Sequence, residues 1–229
     1  MHDPFSIALA PPHLVVAFNG PHQVLSWAPL NPGLQAASRV AWLEVRNADL
    51  PPEVDALEVI RQRIAAAGLD DAVTLVTSRD ISRYQVARAT VEDQHVRCIA
   101  TVGLSNSERV GTRLHQPPPF AGTINLLVHV GQSLTEGAML EAMSIATEAR
   151  TAAVIDSGVA RGGLAVTGTG TDCVAIAAPL GDDPLQYAGK HTALGEATGA
   201  AVYRAVADGI KDWLIDCPPQ LGVRVAATG

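Results

Sequence analysis

One stretch, residues 165–172 with the sequence AVTGTGTD, constrains the fold of this chain more than any other. It leads directly into the apolar run 173–178, which is typical of a buried strand. Because side chains two apart share a face of an extended backbone, we expect the threonines to line one side and the glycines to leave the other bare. A ligand could then approach the backbone closely. The alternating residues are Thr167, Gly168, Thr169, Gly170 and Thr171.

The same stretch also fits a simpler interpretation, a glycine-softened strand or turn whose threonines reflect β-propensity alone. Asp172 ends it, at the point where the chain enters the apolar run. Taken by itself the stretch favours this simpler interpretation, so a functional one depends on the rest of the chain.

The composition narrows the classes of function. The chain has 229 residues, 48% of them hydrophobic, which suffices for one sizeable core, and we predict a single domain over residues 1–229. Its formal net charge is −7, and no run of Lys or Arg offers a stripe that could follow phosphates. Nucleic acid is therefore not an expected partner.

The cysteines and the hydropathy indicate a compartment. Cys98, Cys173 and Cys217 are scattered, odd in number and without CxxC spacing, which predicts neither a disulfide framework nor a zinc site. No secretory signal is recognisable, and no apolar run approaches the roughly 18 residues that a membrane span needs. We expect a soluble, cytoplasmic protein without a membrane partner.

Strands and long helices alternate along the chain. Strands are predicted at 14–18, 23–32, 40–45, 72–77, 96–102, 122–130 and 173–178, with a turn at 19–21. Helices are predicted at 53–67, 134–157 and 192–215, with Thr135 as an N-cap and Gly158 as a stop. Segment 82–92 fits strand or helix, with strand preferred, and 110–120 is predicted to be a loop. The pattern favours an α/β or α+β layered single domain, with a mostly buried sheet and long helices.

Glu148 is a candidate catalytic residue. It lies mid-helix, and helical spacing puts Ser144 and Thr151 on the same face. A carboxylate flanked by hydroxyls can act as a general base or hold a polar substrate. The competing interpretation, a solvated Glu on an outer helix face, is the commoner case in proteins.

His191 is a second candidate, at the start of the last helix between Lys190 and Thr192. Positive dipole density there favours a neutral ring, which can take a proton from water. Gly195 and Gly199 follow His191 at intervals of four residues, on one stripe of the helix. Because each glycine in a helix costs about 1 kcal/mol relative to Ala, two on one stripe predict the close approach of a helix or of a large flat ligand. The alternative is a loop histidine without chemistry.

Polar residues near strand ends add candidate ligand contacts. Ser105 and Asn106 follow the strand that ends at Val102, and Asn125 lies in a strand of its own. The edges of α/β sheets often bind ligands at such positions. The chain has no GxSxG elbow, HExxH helix, Walker loop or GxGxxG fingerprint.

Taken together, these segments resemble the adenosylcobinamide amidohydrolase family, which salvages incomplete corrinoids. The resemblance covers residues 24–206 and is sharpest in TEART, TGTGTD and HTALG. The segments that carry it are LSWAPLNPG, SRYQVA, ATVGLSN, GTINLLV, ATEARTAAVIDSGV, TGTGTDCVAIAAP and YAGKHTALGEATGAAVYRAV.

The resemblance implies hydrolysis of the amide that joins adenosylcobyric acid to its aminopropanol arm, so that cobyric acid returns to the late cobalamin pathway. The expected partner is a small-molecule corrinoid. The residues indicate no cofactor, and the substrate itself carries cobalt. LNPG stands where a more glycine-rich stretch is expected and Trp27 replaces a small residue, so substrate preference stays open. A homo-oligomer is also left open.

For the mechanism, we hypothesise that Glu148 or His191 activates water while Asp172 orients its partner. The threonines and nearby backbone N–H groups would contact the oxyanion and the substrate. Within one cavity roomy enough for a tetrapyrrole-like ring, the expected substrate contacts are Ser105, Asn106, Asn125, Thr167, Gly168, Thr169, Gly170, Thr171, Lys190 and Thr192.

Several alternatives stay open. Glu148, Asp172 and His191 could hold a metal, although no close ligand spacing supports it. Thr167 or Thr169 could attack the carbonyl directly. The chain could also be a corrinoid-binding protein without hydrolytic activity, or an amidase for a smaller amide, which a modest pocket would favour.

Overall fold

The described residues form one large curled sheet, a three-stranded sheet and a two-stranded sheet, together with three α-helices. The computed structural model describes residues 3–51, 53–113, 121–216 and 223–225. The strands are β1 (Phe5–Ala10), β2 (His13–Ser26), β3 (Gly33–Glu44), β4 (Val73–Thr77), β5 (Gln85–Val91), β6 (Gln94–Val102), β7 (Ser107–Glu108), β8 (Ile124–Val130), β9 (Val159–Arg161), β10 (Leu164–Ala165), β11 (Gly168–Thr169), β12 (Cys173–Pro179) and β13 (Val223–Val225). The helices are α1 (Ala56–Ala66), α2 (Glu136–Asp156) and α3 (Ala193–Asp216).

The central sheet is mixed. Its strand order is β4-β3-β2-β12-β8-β6-β5, and β1 pairs with the first half of β2. β12 runs parallel to β8, and β3 parallel to β4, while the other neighbours are antiparallel. Helix α2 connects β8 to its parallel neighbour β12, as a parallel pair requires. The start of β12, which Asp172 immediately precedes, is therefore near the middle of the sheet.

Apolar side chains separate the fold into layers. The even-numbered residues of β8, such as Leu126, face α2 and α3, whereas Leu127 faces the opposite side. That second side is enclosed, because the sheet curls until the Asn125 amide of β8 donates to the Val76 carbonyl of β4 at 2.8 Å. Helix α1 covers the outside of β3 with Ile60 and Ile64. Every residue of β8 is buried, and each large apolar side chain so buried contributes about 1.5–3 kcal/mol.

The predicted layered α+β class is confirmed, as are most of its elements. Thr135 caps α2, since its hydroxyl accepts from the Ala138 N–H at 3.2 Å, and Gly158 follows the helix end with φ of +71°. Segment 82–92 is the strand β5, preceded by a 3₁₀ turn at Ile81–Arg83. Helix α1 begins at Ala56, three residues later than predicted, because Asp55 caps it.

The turn predicted at 19–21 is wrong. β2 runs unbroken from His13 to Ser26, and its pairing with β3 shifts register between Ala17 and His22. The Asn-Gly-Pro sequence therefore forms a bulge, at which Gly20 takes φ of +124°. The strand predicted at 23–32 is the second half of β2 and ends at Ser26.

Two predictions fall partly or wholly outside the described residues. Of the loop predicted at 110–120, only the part up to Arg113 is described, and Cys217 is not. Cys98 and Cys173 are buried free thiols. In the part of the chain that the structure describes, no helix is both long enough and apolar enough to cross a membrane.

Candidate active site

Asp172 organises a tight turn in which the TGTGT sequence ends. Its Oδ1 accepts from the Ile124 N–H at 2.9 Å and from the Thr169 hydroxyl at 2.5 Å. Its Oδ2 accepts from the Thr169 N–H at 2.9 Å and from the Arg150 guanidinium at 2.8 Å. An added Cβ at Gly168 would collide with this carboxylate. The glycine is thus required by the chain's own Asp172.

The expectation that three threonine hydroxyls share one exposed face is wrong. The Thr167 hydroxyl accepts from the Val110 N–H at 2.7 Å, and that of Thr169 donates to Asp172. The Thr171 hydroxyl shares a hydrogen bond of 2.6 Å with Thr123. The extended conformation lasts only through β11, because the Asp172 side chain competes for backbone N–H groups and turns the chain.

A cleft of about 430 Å³ opens beside this turn. The cleft is lined by residues 108–113 and by the turn beside which they run, Thr167, Gly168, Thr169, Gly170 and Asp172, since Gly168 pairs with Glu108 in the β7–β11 ladder. Arg109, Arg113 and Arg150 line the cleft together with two carboxylates, Glu108 and Asp172. Because the whole chain carries −7, a cleft with more cations than anions stands out as a place for a polar or anionic group.

The charged pair Arg150–Asp172 is nearly buried at the base of the cleft. The Arg150 side chain is 12% exposed and that of Asp172 is 6% exposed. Burial raises the pKa of Asp172, and the Arg150 charge and the donors from Thr169 and Ile124 oppose the rise. All four donors match the ionised carboxylate, which only accepts hydrogen bonds. Ionisable groups perturbed by burial and by a specific partner cluster at functional sites.

Glu148 and Lys190 lie in a different cavity. They form an ion pair beside a groove of about 460 Å³ between α2 and α3, whose floor includes Ala149 and Gly199. Glu148 precedes Arg150 by two residues, a rotation of about 200° around a helix. The two side chains therefore point into separate cavities, and none of the residues that the structure describes lines both.

His191 is exposed, and Thr192 caps α3. The Thr192 hydroxyl accepts from the Gly195 N–H at 2.9 Å and donates to the Gly189 carbonyl at 2.8 Å. The glycine stripe has a structural cause at Gly195, where an added Cβ would lie 2.7 Å from the Ala188 carbonyl. The close approach predicted there is made by the chain's own backbone.

The remaining predicted contacts lie away from the cleft. Asn125 is fully buried, and its Oδ1 has no hydrogen-bond partner among the described residues. Ser105 and Asn106 lie against Gly122, where an added Cβ would be 2.6 Å from the Ser105 nitrogen and 3.1 Å from Asn106 Oδ1. These residues support the strand end from which Ile124 donates to Asp172.

The predicted set is thus divided. The structure brings Asp172 together with residues 167–170, and brings Glu148 together with Lys190, but it places these two groups in separate cavities. Asp172 makes no hydrogen bond to Glu148 or His191 within the described ranges. There, too, no three His, Cys, Asp or Glu side chains are grouped closely enough to hold a metal ion. The single shared cavity that the sequence predicts is not formed.

Sequence reasoning missed the partner of Asp172. Arg150 lies in the same TEART segment that directed attention to Glu148. The only signal was that helical geometry places positions 148 and 150 on opposite faces, so at most one of them faces the sheet end. Residues 108–113, which also line the cleft, match no recognisable sequence motif.

Comparison with known proteins gives one family and three relatives similar to this chain. The family model "Adenosylcobinamide amidohydrolase" matches residues 4–218. A protein of that name from Halobacterium salinarum is 32% identical over 158 residues, which cover 65% of this chain and 64% of the relative. Another of that name, from Methanosarcina mazei, is 28% identical over 171 residues, covering 70% and 76%. An uncharacterized protein, MJ1613 of Methanocaldococcus jannaschii, is 27% identical over 162 residues, covering 62% and 63%. The chain thus spans just under two thirds of the first and last of these relatives.

Proposed function

Since this chain belongs to the adenosylcobinamide amidohydrolase family, we propose that it hydrolyses the amide between adenosylcobyric acid and the aminopropanol arm of adenosylcobinamide. The products are adenosylcobyric acid, which serves cobalamin salvage, and 1-amino-2-propanol. The observation that supports the cleft as the site of this reaction is the nearly buried Arg150–Asp172 pair at its base.

The cleft offers the groups that amide hydrolysis needs. The reaction requires a proton acceptor for the attacking group, donors for the developing oxyanion and a proton for the leaving amine. Asp172 is a carboxylate whose pKa is raised by burial, which makes it a better proton acceptor than a solvated one. Arg150 supplies positive charge next to it, and Arg109 and Arg113 line the same cleft.

The volume of the cleft limits what enters it. Pockets that enclose drug-sized ligands measure about 300–1,000 Å³, and a corrinoid is larger than such a ligand. A cleft of about 430 Å³ therefore fits the amide arm, with the macrocycle outside. The same volume favours a second candidate function, the hydrolysis of a smaller amide.

The groove between α2 and α3 is an alternative location for amide hydrolysis. There Glu148, paired with Lys190, and the nearby His191 would activate water, as the sequence suggests. We favour the cleft because its carboxylate is nearly buried, whereas the Glu148 side chain is 52% exposed. Exposed carboxylates are screened by water and are weaker sources of catalysis.

The test is to incubate the purified chain with adenosylcobinamide and to quantify adenosylcobyric acid and 1-amino-2-propanol by mass spectrometry. Asp172→Asn is expected to abolish product formation while Glu148→Gln and His191→Ala retain it, and circular dichroism of each variant controls for folding. Binding of the corrinoid without product would identify a binding protein. Turnover of a smaller amide alone would select the second candidate. Activity that depends on Glu148 or His191 and not on Asp172 would move the site to the groove.

A further inference from the structure

The hydroxyl of Thr169 is held directly against the cleft carboxylate. Its Oγ1 donates to Asp172 Oδ1 at 2.5 Å, the shorter end of the range for O–H···O⁻ bonds. Thr169 lines the cleft and is half-buried. Among the described residues, the N–H that approaches its oxygen is that of Thr171, at 3.4 Å. The hydroxyl proton is thus engaged by a carboxylate while the oxygen keeps lone-pair capacity.

We propose that Thr169 is the nucleophile of this amidohydrolase and that Asp172 accepts its proton. The inference rests on the proposed function and deepens it, by naming the atom that attacks the substrate carbonyl. A hydroxyl is a weak nucleophile alone and is activated by an adjacent base that a third group orients. Here the base is Asp172, and Arg150 and the Ile124 N–H orient it.

The other threonines of the turn lack this arrangement. The Thr167 oxygen accepts from the Val110 N–H at 2.7 Å, and its nearest acceptor is the backbone carbonyl of Glu108 at 3.4 Å. The Thr171 hydroxyl donates to the Gly122 carbonyl at 3.1 Å. A backbone carbonyl cannot take up a proton at neutral pH. Of the three hydroxyls, that of Thr169 alone meets a carboxylate within the described residues.

The reaction balances in two steps. Thr169 Oγ1 bonds to the acyl carbon as its proton moves to Asp172; the C–N bond then breaks and that proton goes to the leaving nitrogen, which departs as aminopropanol. A water oxygen next attacks the ester, its proton moves to Asp172, and the C–Oγ1 bond breaks as Thr169 recovers a proton. The product is the free carboxylic acid, and no oxidant or further reactant is consumed.

Three variants of the full chain separate this role from a structural one. Thr169→Ser keeps the hydroxyl and is expected to retain activity within about tenfold, whereas the near-isosteric Thr169→Val is expected to lose at least about 10³-fold. Thr147→Val removes a hydroxyl that donates to the Met143 carbonyl within α2, and it should behave as wild type.

The decisive readout is covalent. Acid-quenched mixtures of adenosylcobinamide with the wild type or with Thr169→Ser are expected to contain an adenosylcobyric acid ester, which peptide mapping places on residue 169. An ester on another residue overturns the proposal, as does its absence from both proteins while aminopropanol is released. Turnover by Thr169→Val within tenfold of wild type overturns it as well. If the wild type releases no aminopropanol, the proposed function itself fails, so the two failures are distinguishable.

Discussion

The Nε2 atoms of His22 and His129 lie 3.0 Å apart inside the curl of the sheet. His22 Nδ1 lies 3.1 Å from the Gly20 carbonyl, which can only accept, so this nitrogen carries the proton of a neutral ring. His22 Nε2 is then an acceptor, and His129 Nε2–H is the donor. Both rings are buried against Phe18, so a charge on either ring is costly, and the acceptor role of His22 Nε2 requires His22 to be neutral.

The first prediction concerns the pH dependence of stability. Burial, reinforced by the charges of His22 and Arg97, lowers the pKa of His129 to about 3, and burial also lowers the pKa of His22. Because the unfolded rings bind protons below about pH 6.5 and the folded ones resist, the free energy of unfolding should fall as the pH drops from 6.5 toward 3. The expected slope is about 1.4 kcal/mol per pH unit for each fully shifted ring.

Urea unfolding at pH 7, 6 and 5 measures that slope. His129→Gln should flatten it, whereas His95→Gln, at an exposed histidine, serves as the matched control. An unchanged slope in His129→Gln would contradict the assignment of a neutral pair.

A second prediction concerns the ion pair of the cleft. Arg150→Met leaves the Asp172 carboxylate, which is 6% exposed, without its cation, and such a loss costs about 3–5 kcal/mol. The double variant Arg150→Met/Asp172→Asn should recover part of that loss, because no charge is then left buried. Chemical denaturation of the four proteins of this cycle measures the coupling. Strict additivity of the two single effects would show that the pair does not act as a unit.

A third prediction uses glycines of α3 as a matched set. At Gly209 an added Cβ would lie 2.5 Å from Val102 Cγ2, whereas at Gly199 it would lie 3.7 Å from Ile145 Cγ2, an ordinary contact. Gly209→Ala should therefore destabilise by about 1–3 kcal/mol through overpacking. Gly199→Ala should be neutral or stabilising by up to about 1 kcal/mol, since alanine is the better helix former. Thermal unfolding compares the two, and equal melting temperatures would refute the packing argument.

A fourth prediction concerns the end of α3. Asp216 pairs with Arg83 and with Arg79 at 2.6 Å, and hydrogen bonds from these two arginines lower the pKa of Asp216 to about 2. A carboxyl whose pKa falls on folding stabilises above its unfolded pKa near 3.8, and that contribution is lost as the pH falls through about 2. Asp216→Asn should thus lower the urea midpoint at pH 7.

The same variant should differ little from wild type near pH 2, where the wild-type carboxyl also becomes protonated. Midpoints at pH 7, 4 and 2 follow this convergence, with Asp182→Asn, at an exposed carboxylate after β12, as the control. A difference that persists undiminished at pH 2 would point to a cause other than the ion pairs.

Local pattern predicted most of the scaffold. The apolar run of β8 and the N-cap at Thr135 are short-range signals, and both appear where the sequence places them. The bulge at Gly20 was mistaken for a turn because pairing with β3 on both sides of it, a long-range interaction, overrides the local turn preference. Periodicity carries no information about such pairing.

The candidate site was predicted in composition but not in arrangement. Asp172 and the threonines around it were identified from their spacing together with the family resemblance, yet the bonds that shape the turn include those from Ile124 and Arg150, 48 and 22 positions away. Those partners bend residues 167–171 out of the extended conformation, in which the three threonine side chains would have shared one face. Packing likewise decides which side of α2 faces Asp172. The sequence therefore wrongly predicts that Glu148 and Asp172 share a cavity.

The two segments that line the cleft differ in how the rest of the molecule constrains them. The segment with Asp172 continues into β12, whose neighbours on both sides belong to the central sheet, whereas residues 109–113 are exposed. Substitutions of side chains in 109–113 can therefore reshape the entrance without disturbing the sheet. Sequence changes in this exposed segment can alter which substrate enters the cleft while Asp172 and the residues bonded to it keep their positions.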